Sequence, residues 1–235
     1  MKITIIIPFY NEEKRIEIER FHQIFNDFPQ YNFILVNDGS TDNTNTILDE
    51  FKSKFPNLTI LKLDKNIGKA EAIRSAVLSI SNADFIVYYD ADLATPFSEL
   101  EKLIKFSILH QNYKMVMGAR IKLIGNQVKR SLKRHYFGRI FATIVSQFVL
   151  KVAVYDTQCG AKVIDFETAK PIFSKPFISK WLFDVEVLKR LQKIHNLKEV
   201  VKEIPLEKLK EIGNSKIKAT DFFKIPFELL KIYRT

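Results

Sequence analysis

Cysteine and long apolar runs are nearly absent from this chain of 235 residues. Its one cysteine, Cys159, excludes an internal disulfide framework and a cysteine-based zinc site, and it fits a reducing compartment. The longest mostly apolar stretch, residues 140–154, is interrupted by polar side chains and falls short of the roughly 18–20 residues that span a bilayer. We therefore expect a chain that does not cross a membrane by itself.

Glycine-rich phosphate motifs are missing as well. No Gly-x-Gly-x-x-Gly occurs, which disfavours a dinucleotide-dependent dehydrogenase, and Gly68-Lys69 lacks the upstream glycine and the following Ser/Thr of a Walker loop. The sequence has no internal repeat, low-complexity tract or Gly/Ser linker. Its 46% hydrophobic and 27% charged residues are typical of a soluble protein with a real core. We expect one domain.

Charge is distributed unevenly along the sequence. Residues 1–118 carry 13 basic and 16 acidic residues, a net charge of −3, whereas residues 119–235 carry 24 and 11, a net charge of +13. Within residues 120–139 there are seven basic residues and no acidic one. The basic half therefore indicates a polyanionic partner, which could be nucleic acid, an anionic membrane surface or a phosphorylated substrate. The alternative is a solvated basic face.

Apolar, β-branched runs alternate with helix-length segments in the first half. The runs lie at residues 3–7, 33–36, 58–63, 84–89 and 114–117, and the segments lie at 12–28, 42–54, 69–80 and 97–111. Continuous apolar strands separated by helices predict a parallel sheet that is covered on both faces. The predicted fold class is therefore α/β, with a doubly wound, Rossmann-like layer structure.

The second half is less regular. It is predicted to contain a polar loop at 119–130, a long amphipathic helix at 131–152, a helix at 182–194, a strand at 198–206 and a final amphipathic segment at 222–232. No break in composition marks a second domain. Residues 1–118 and 119–235 are therefore expected to be two halves of one continuous domain.

Polar side chains follow each of the first four predicted strands, and in an open parallel sheet ligands bind beyond the carboxyl ends of the strands. Asp90 and Asp92 come directly after the fourth strand. Two carboxylates at that spacing can approach one hard divalent cation, while phosphate oxygens and water complete its shell. The alternative is that each carboxylate caps the following helix or faces water.

Further polar residues at strand and helix ends allow two interpretations each. Asp38 could accept hydrogen bonds from a ribose or a base N–H, or it could be a turn residue in Asn-Asp-Gly-Ser. Lys69 stands at a predicted helix start, where free N–H groups and the helix dipole attract anions. Arg130 and Arg134 share one predicted helix face, where guanidinium groups suit phosphate or are simply solvated.

These residues fall within eight motifs. In chain order the motifs are IIIPFYNEE (5–13), VNDGSTDNT (36–44), NIGKAEAIRSA (66–76), YYDADLATP (88–96), GAR (118–120), KRSLKRHYFGRIF (129–141), DTQCGAK (156–162) and KWLFDVEVL (180–188). Over about residues 3–190 they resemble the family-2 glycosyltransferases. The later motifs look most like the polyprenyl-phosphate (dolichyl-phosphate) glucosyltransferase branch. The resemblance implies the GT-A fold, a mostly parallel sheet with helices on both faces, followed by C-terminal amphipathic helices.

The resemblance also implies a donor site in the first half. It implies Mg²⁺ or Mn²⁺ on Asp90 and Asp92, bridging the diphosphate of a nucleotide sugar. In the related mannosyl-phosphate branch a Gln can join the metal at the position of Ala94 here, which favours a glucosyl donor, UDP-glucose. Donor binding is implied for Pro8, Tyr10, Glu12, Asp38, Lys69, Asp90, Ala91 and Asp92.

On the acceptor side, we predict that Arg120, Arg130 and Arg134 bind the acceptor phosphate, because guanidinium groups suit bidentate contact with phosphate. The predicted catalytic residues are Asp92, Arg120 and Asp184. A polyprenyl phosphate is already largely anionic at pH 7, so it needs positioning and charge screening more than proton removal. We therefore expect inverting transfer of glucose to a polyprenyl phosphate.

We expect this reaction at the cytoplasmic membrane face, with the chain attached peripherally. The apolar faces with basic flanks at 140–154 and 222–232 are typical of interfacial helices, although they could equally be core.

Two other hypotheses remain open at this point. The first sends the sugar to a hydroxyl of a glycan or cell-wall precursor, with Asp184 as the base. Asp184 and Glu186 occupy, in altered form, the region of the Glu-Asp-type motif that carries the catalytic Asp in sugar-to-sugar members. The second is a nucleic-acid binding module, which leaves the acidic strand ends unexplained. We expect no nucleic-acid partner.

Overall fold

The computed structural model describes residues 1–129, 132–210 and 225–234, with the backbone alone for residue 129 and residues 132–135. The strands are β1 (Ile3–Phe9), β2 (Asn32–Asp38), β3 (Leu58–Leu63), β4 (Phe85–Tyr89), β5 (Met115–Ala119), β6 (Gln127–Lys129), β7 (Ala161–Asp165), β8 (Val201–Pro205) and β9 (Lys208–Lys210). The helices are α1 (Ile18–Asp27), α2 (Thr44–Lys54), α3 (Lys69–Ser79), α4 (Phe97–Leu109), α5 (Leu132–Ile144), α6 (Phe166–Phe173), α7 (Phe183–Gln192), α8 (Leu197–Val200) and α9 (Ile225–Arg234). A π-helical segment, Val145–Leu150, continues α5.

The chain is divided into two compact units. The first comprises Met1–Leu93 with Val163–Pro176, and the second comprises Ala94–Lys162 with Phe177–Thr235. The assignment of donor binding to residues 1–118 and of acceptor binding to residues 119–235 stays a prediction.

The first unit contains four parallel strands in the order β3-β2-β1-β4. In the central strand, Ile5 lies opposite Phe33 of β2 and Val87 of β4. Six of the seven residues of β1 are buried, as expected for a parallel strand that is covered on both faces. The carboxyl ends of these strands meet at one edge, which places the residues after β1, β2 and β4 near one another.

Aromatic side chains attach α1 and α2 to this sheet. Phe21 and Phe25, one turn apart on α1, are buried with ring centroids 5.8 Å apart. Phe25 lies 5.0 Å from Phe33 of β2, and Phe21 lies 5.8 Å from Phe51 of α2. Such aromatic pairs stabilise the fold beyond the burial of their area. The spacing of the apolar residues in the sequence therefore determines which face of α1 packs against the sheet.

In the second unit β5 pairs in parallel with β8, and the short strands β6 and β9 form a separate parallel pair. The π-helical segment packs against α7 and α9. Within the described residues, no helix has both the length and the hydropathy that are needed to span a membrane.

The α/β fold with parallel strands is confirmed, but several predicted bounds are wrong. The predicted helix at 12–28 begins only at Ile18, because the chain before it is tied to the start of α2. There the backbone N–H groups of Asn11 and Glu12 donate to the hydroxyls of Ser40 (3.1 Å) and Thr44 (2.9 Å). Side-chain hydrogen bonds of this kind compete with helix formation.

Two elements of the second half also differ from the prediction. The predicted strand at 198–206 begins with the helical turn α8, because the Asn196 side chain accepts the N–H of Lys198 and caps it. The predicted helix at 131–152 ends at Leu150, where Lys151 takes a left-handed conformation with φ of 55°. Short elements at β6, β7 and α6 were not predicted, and residues 222–224 of the final segment lie outside the described residues.

Gly39 follows β2 with φ of +62°, and a Cβ there would lie 2.3 Å from the carbonyl carbon of Lys65. We expect Gly39→Ala to lower the free energy of unfolding by about 3 kcal/mol, because left-handed strain and overpacking against backbone combine. Gly125 is the matched control, since its φ is +90° and nothing lies within 4 Å of the added Cβ. Gly125→Ala should cost only the strain, about 1–2 kcal/mol. Urea denaturation of both variants measures the difference, and equal losses would contradict the close approach at Gly39.

Candidate active site

Asp38, the last residue of β2, is buried and holds the turn that precedes α3. Its Oδ1 accepts the backbone N–H of Ile67 at 2.8 Å, and its Oδ2 accepts the N–H of Gly68 and the side-chain amide of Asn66, both at 2.9 Å. Because α3 begins at the next residue, Lys69, this carboxylate fixes where α3 starts. These bonds favour the turn role of Asp38, and its contact with a nucleotide stays a prediction.

Lys69 and Asp90 form an ion pair in the first unit. The ammonium of Lys69 lies 2.5 Å from Oδ1 of Asp90, and the two side chains are 37% and 38% exposed. A pair this exposed adds little to stability, because water competes with it. Both groups can therefore exchange partners readily, the ammonium for a phosphate and the carboxylate for a cation.

The turn after β4 fits a divalent cation. The carboxylate of Asp90 already faces a positive charge, and the half-buried Asp92 follows after the buried Ala91. The next residue, Leu93, has φ of 51°, so the chain turns sharply here. Among the described residues, no group of three or more His, Cys, Asp or Glu side chains could hold a metal ion. Mg²⁺ commonly binds through one or two carboxylates together with phosphate oxygens and water, and two carboxylates on one turn fit that pattern.

Pro8, Tyr10 and Glu12 lie at or beyond the carboxyl end of β1. Tyr10 is 39% exposed, whereas Pro8 and Glu12 are partly buried. The backbone of Glu12 is bonded to Thr44, and its carboxylate lies 3.4 Å from Nε of Arg15. All the residues predicted to bind the donor therefore belong to the first unit, where they lie at or beyond the carboxyl ends of β1, β2 and β4 or at the start of α3.

Arg120 directly follows β5 and makes a two-bond contact with Asp156. Its Nε lies 2.6 Å from Oδ2 and its Nη2 lies 2.8 Å from Oδ1. Arg130 lies outside the described residues, and only the backbone of Arg134, in α5, is described. The phosphate site formed by the three arginines stays a prediction.

Asp184, in the first turn of α7, is buried and paired with a buried lysine. The ammonium of Lys162 lies 2.7 Å from its Oδ1 and also donates to the carbonyl of Cys159. The pair holds the carboxylate in the interior, where it faces the ammonium rather than solvent. Two residues along α7, the buried Glu186 pairs with Arg190 at 2.7 Å. The geometry favours a structural role for Asp184, and its role as a base stays a prediction.

A cavity of about 700 Å³ in the second unit borders the segment that carries Asp156, and its lining includes Arg139, Tyr155 and Glu203. The guanidinium of Arg139 lies 4.3 Å from the ring centroid of Tyr155. Glu203 accepts the backbone N–H groups of Tyr155 and Asp156, each at 2.8 Å. Burial raises the pKa of Glu203, and these two hydrogen bonds oppose the rise. One carboxylate therefore supports both the cavity wall and the residue that binds Arg120.

No role was predicted for Asp156, Lys162 or Glu203, although the first two lie in the motif 156–162. Asp156 and Lys162 are the two charged residues of the motif 156–162 and stand at its ends. That pattern is the signal by which the sequence could have indicated them. Their partners lie 36 and 22 residues away along the chain, which no local pattern indicates. Glu203 lies in a strand without any distinguishing pattern.

Cys159 is a packed core residue rather than a nucleophile. Burial, with a contribution from the Asp156 carboxylate, raises the pKa of its thiol to about 11. Its sulfur lies so close to Gly118 of β5 that a Cβ added there would be 3.1 Å from it. The thiolate is therefore scarce near neutral pH.

The sequence matches the family model described as Glycosyl transferase family 2 over residues 4–173. The chain belongs to this family. The matched range contains every predicted donor-side residue, the Arg120–Asp156 pair and Lys162.

Curated relatives of this family-2 chain include three dolichyl-phosphate beta-glucosyltransferases. The protein of Trichomonas vaginalis is 33% identical, and the alignment covers 97% of this chain and 70% of the relative. The protein of Dictyostelium discoideum is 31% identical, with 97% and 75% covered, and that of Saccharomyces cerevisiae is 30% identical, with 98% and 73% covered.

Among solved structures, the chain is similar to glucosyl-3-phosphoglycerate synthase from Mycobacterium tuberculosis. In complex with uridine-diphosphate that enzyme gives a TM-score of 0.71 at 15% identity, covering 99% of this chain and 80% of the synthase. Its complex with Mn²⁺, uridine-diphosphate-glucose and phosphoglyceric acid gives 0.70 at 15% identity, again over 99% and 80%. At this identity the likeness concerns the fold alone, and it confirms the predicted GT-A fold of this family-2 glycosyltransferase.

The buried Lys162–Asp184 pair leads to a test of stability. We expect Lys162→Met and Asp184→Asn each to lower the free energy of unfolding by about 3–5 kcal/mol, because each leaves a buried charge without its partner. The double variant should lose clearly less than the sum, and urea denaturation of all three gives the coupling. Lys62→Met is the control, since Lys62 pairs with Asp49 at 2.8 Å with both side chains about half exposed. Its loss should stay below about 1 kcal/mol. Additive losses at 162 and 184 would exclude the pair.

Proposed function

We propose that this family-2 chain transfers glucose from UDP-glucose to a dolichyl-type polyprenyl phosphate with inversion at the anomeric carbon. The observation that carries this proposal is the identity of 30–33% to dolichyl-phosphate beta-glucosyltransferases over 97–98% of the chain. One displacement on an α-linked donor gives a β-linked product, in agreement with the activity for which these relatives are named. UDP-glucose is supported by the synthase that shares the fold, which was crystallised with that donor.

The first unit binds the donor in this proposal. The exposed Lys69–Asp90 pair opens, and Lys69 turns to the diphosphate at the N-terminus of α3, where free N–H groups also face the anion. Asp38 keeps the preceding turn in place through its bonds to Ile67 and Gly68. The chain thus brings a cation and a helix terminus to the same phosphate groups.

Asp90 and Asp92 are the residues that would hold Mg²⁺ or Mn²⁺. A bound divalent ion supplies Lewis-acid stabilisation to a departing nucleoside diphosphate. The synthase with the same fold was crystallised with Mn²⁺ and uridine-diphosphate, which supports a divalent ion here. The part played by this chain is to keep two carboxylates on one tight turn after β4, at a spacing that leaves room for substrate oxygens.

The acceptor phosphate brings its own nucleophile. A phosphate monoester has a second pKa of about 6, so its oxygen is largely anionic at pH 7. That oxygen forms a bond to the anomeric carbon of glucose while the bond to UDP breaks, and UDP leaves as the anion, so no proton has to be removed. Arg120 binds the phosphate and screens the repulsion between the two anions.

A hydroxyl acceptor would need a base, and Asp184 is the residue that the sequence offers for it. In the structure Asp184 is buried and bonded to the ammonium of Lys162, so its carboxylate is not presented to an acceptor hydroxyl. This pairing supports the phosphate acceptor over the hydroxyl acceptor.

We further propose that the chain attaches peripherally to the cytoplasmic face of a membrane. One face of α5 and of the π-helical segment carries large apolar side chains that are 40–66% exposed, and we name it the apolar face: Phe137, Ile140, Ile144 and Phe148. Residues 132–150 contain no acidic residue, and the exposed Arg139 and Lys151 flank this face. The neighbouring helix α9 exposes Phe227, Leu230 and Tyr233. Aromatic and aliphatic side chains next to cations suit an anionic lipid interface.

The catalytic proposal is tested by incubating the full chain with a short polyprenyl phosphate and radiolabelled UDP-glucose, with and without EDTA. We expect lipid-extractable label that is lost on chelation, and none from other nucleotide sugars. Asp92→Asn should lower the rate by about 100-fold, because an electrostatic contact to the leaving group is lost. Asp64→Asn, at an exposed carboxylate of the same unit, should keep the activity. Label that appears only in water-soluble glycan would overturn the phosphate acceptor.

The membrane proposal is tested by co-sedimentation with vesicles that contain phosphatidylglycerol. The double variant Phe137→Ser with Phe148→Ser should bind the vesicles at least about tenfold more weakly, because two aromatic side chains no longer enter the interface. Leu109→Ser is the control, since Leu109 is 77% exposed on α4, outside the apolar face. Equal binding of the two variants would exclude the apolar face as the contact.

A further inference from the structure

Arg120 is held in a geometry that fixes the plane of its guanidinium. Its Nε and Nη2 both donate to the carboxylate of Asp156, and its backbone N–H donates to Oδ2 of the same residue at 3.0 Å. The Asp156 side chain is 7% exposed, whereas that of Arg120 keeps 20% exposure. A two-bond contact between guanidinium and carboxylate sets orientation as well as distance. The arginine is therefore anchored along one edge to a buried acid while part of the side chain still reaches solvent.

Asp156 is in turn held through its own backbone. Oε1 of Glu203 accepts the N–H of Asp156 and Oε2 accepts the N–H of Tyr155, each at 2.8 Å. On the other side, Oδ1 of Asp156 accepts the N–H of Gln158 at 3.1 Å. The Asp156 carboxylate that holds Arg120 is thus fixed by hydrogen bonds of its own residue, of the residue before it and of Gln158.

The strands β5 and β8 fix both ends of this network. They are parallel neighbours, with Met117 opposite Glu203. Ala119, the residue before Arg120, accepts the N–H of Leu206 at 2.9 Å. Arg120 and Glu203 therefore come from one hydrogen-bonded strand pair, and Asp156 is attached to both.

We propose that Asp156, supported by Glu203, is the positioning residue that orients Arg120 for the acceptor phosphate. This inference rests on the proposed function, because it takes Arg120 as a phosphate-binding residue. An unrestrained arginine loses side-chain entropy on binding, and the contact with Asp156 reduces that loss in advance. The opposing effect is that the carboxylate partly neutralises the cation. Kinetics of a variant can decide which effect is larger.

The test measures steady-state kinetics with a short polyprenyl phosphate and UDP-glucose. We expect Asp156→Asn to raise the KM for the polyprenyl phosphate at least about tenfold and to leave the KM for UDP-glucose within about twofold, because only the orientation of Arg120 changes. In the background of Arg120→Ala, Asp156→Asn should have no further effect on the acceptor KM. Glu203→Gln should shift the same KM in the same direction, by about threefold, because it loosens Asp156 only indirectly. Glu207→Gln is the control, because Glu207 is exposed and pairs with Lys102. It should leave the KM for the polyprenyl phosphate unchanged.

Several outcomes would overturn the inference. They are a lower kcat and melting temperature for Asp156→Asn with an unchanged acceptor KM, a lower acceptor KM, or an equal rise in the Arg120→Ala background. If Asp156→Asn does not fold, Glu203→Gln decides alone, and an unchanged acceptor KM in that variant overturns the inference. If the Arg120→Ala variant keeps the normal acceptor KM, Arg120 does not bind the phosphate and the inference fails while glucosyl transfer stands. If the unmodified chain gives no lipid-extractable label, the proposed function itself fails.

Discussion

The removal of carboxylates from water is the constraint on which both units depend. A buried carboxylate is costly unless cations or N–H donors replace the lost hydration. Asp38 meets this requirement with two backbone N–H groups and one amide, Asp184 with the ammonium of Lys162, and Glu186 with the guanidinium of Arg190. Each of these buried acids therefore binds a particular partner, and the contact holds the segment that carries the partner in place.

The consequence is that buried acids position the residues that we propose to bind the substrates. Asp38 fixes the turn from which α3 begins, and thereby the place of Lys69. Asp156 fixes the guanidinium of Arg120 at the end of β5. In both cases one residue lies at the end of a strand and the other lies in a loop. The backbone therefore determines how the side chain of Lys69 or Arg120 is placed. This is the arrangement in which a binding group loses little entropy when its ligand arrives.

The parts of the fold that depend on local patterns could be predicted from the sequence. The run 58–63 matches β3 residue for residue, because a short run rich in Leu, Ile and Thr between Asn57 and Asp64 is typical of a strand, although only Leu58 in it is buried. The carboxylates after β4 could be placed because parallel strands end at one edge of the sheet. The start of α1 could not be predicted, since side chains around residues 40–44 bond the chain just before it. Arg120–Asp156 and Lys162–Asp184 could not be predicted either, because partners 36 and 22 residues apart leave no local pattern.

Exposure distinguishes the ion pairs that can react from those that hold the structure. Lys69–Asp90, at 37% and 38% exposure, costs little to open, so its charges can pass to a diphosphate and a cation. Lys162–Asp184, at 0% and 6%, is costly to break, so this pair holds the structure rather than a ligand. Arg120–Asp156, at 20% and 7%, lies between them, with its acid buried and its cation within reach of a ligand. A chain with this order of pairs is suited to an acceptor that arrives already ionised. Such an acceptor requires a fixed cation rather than a base. The second unit holds Arg120 fixed against Asp156, and it buries the candidate base Asp184 against Lys162.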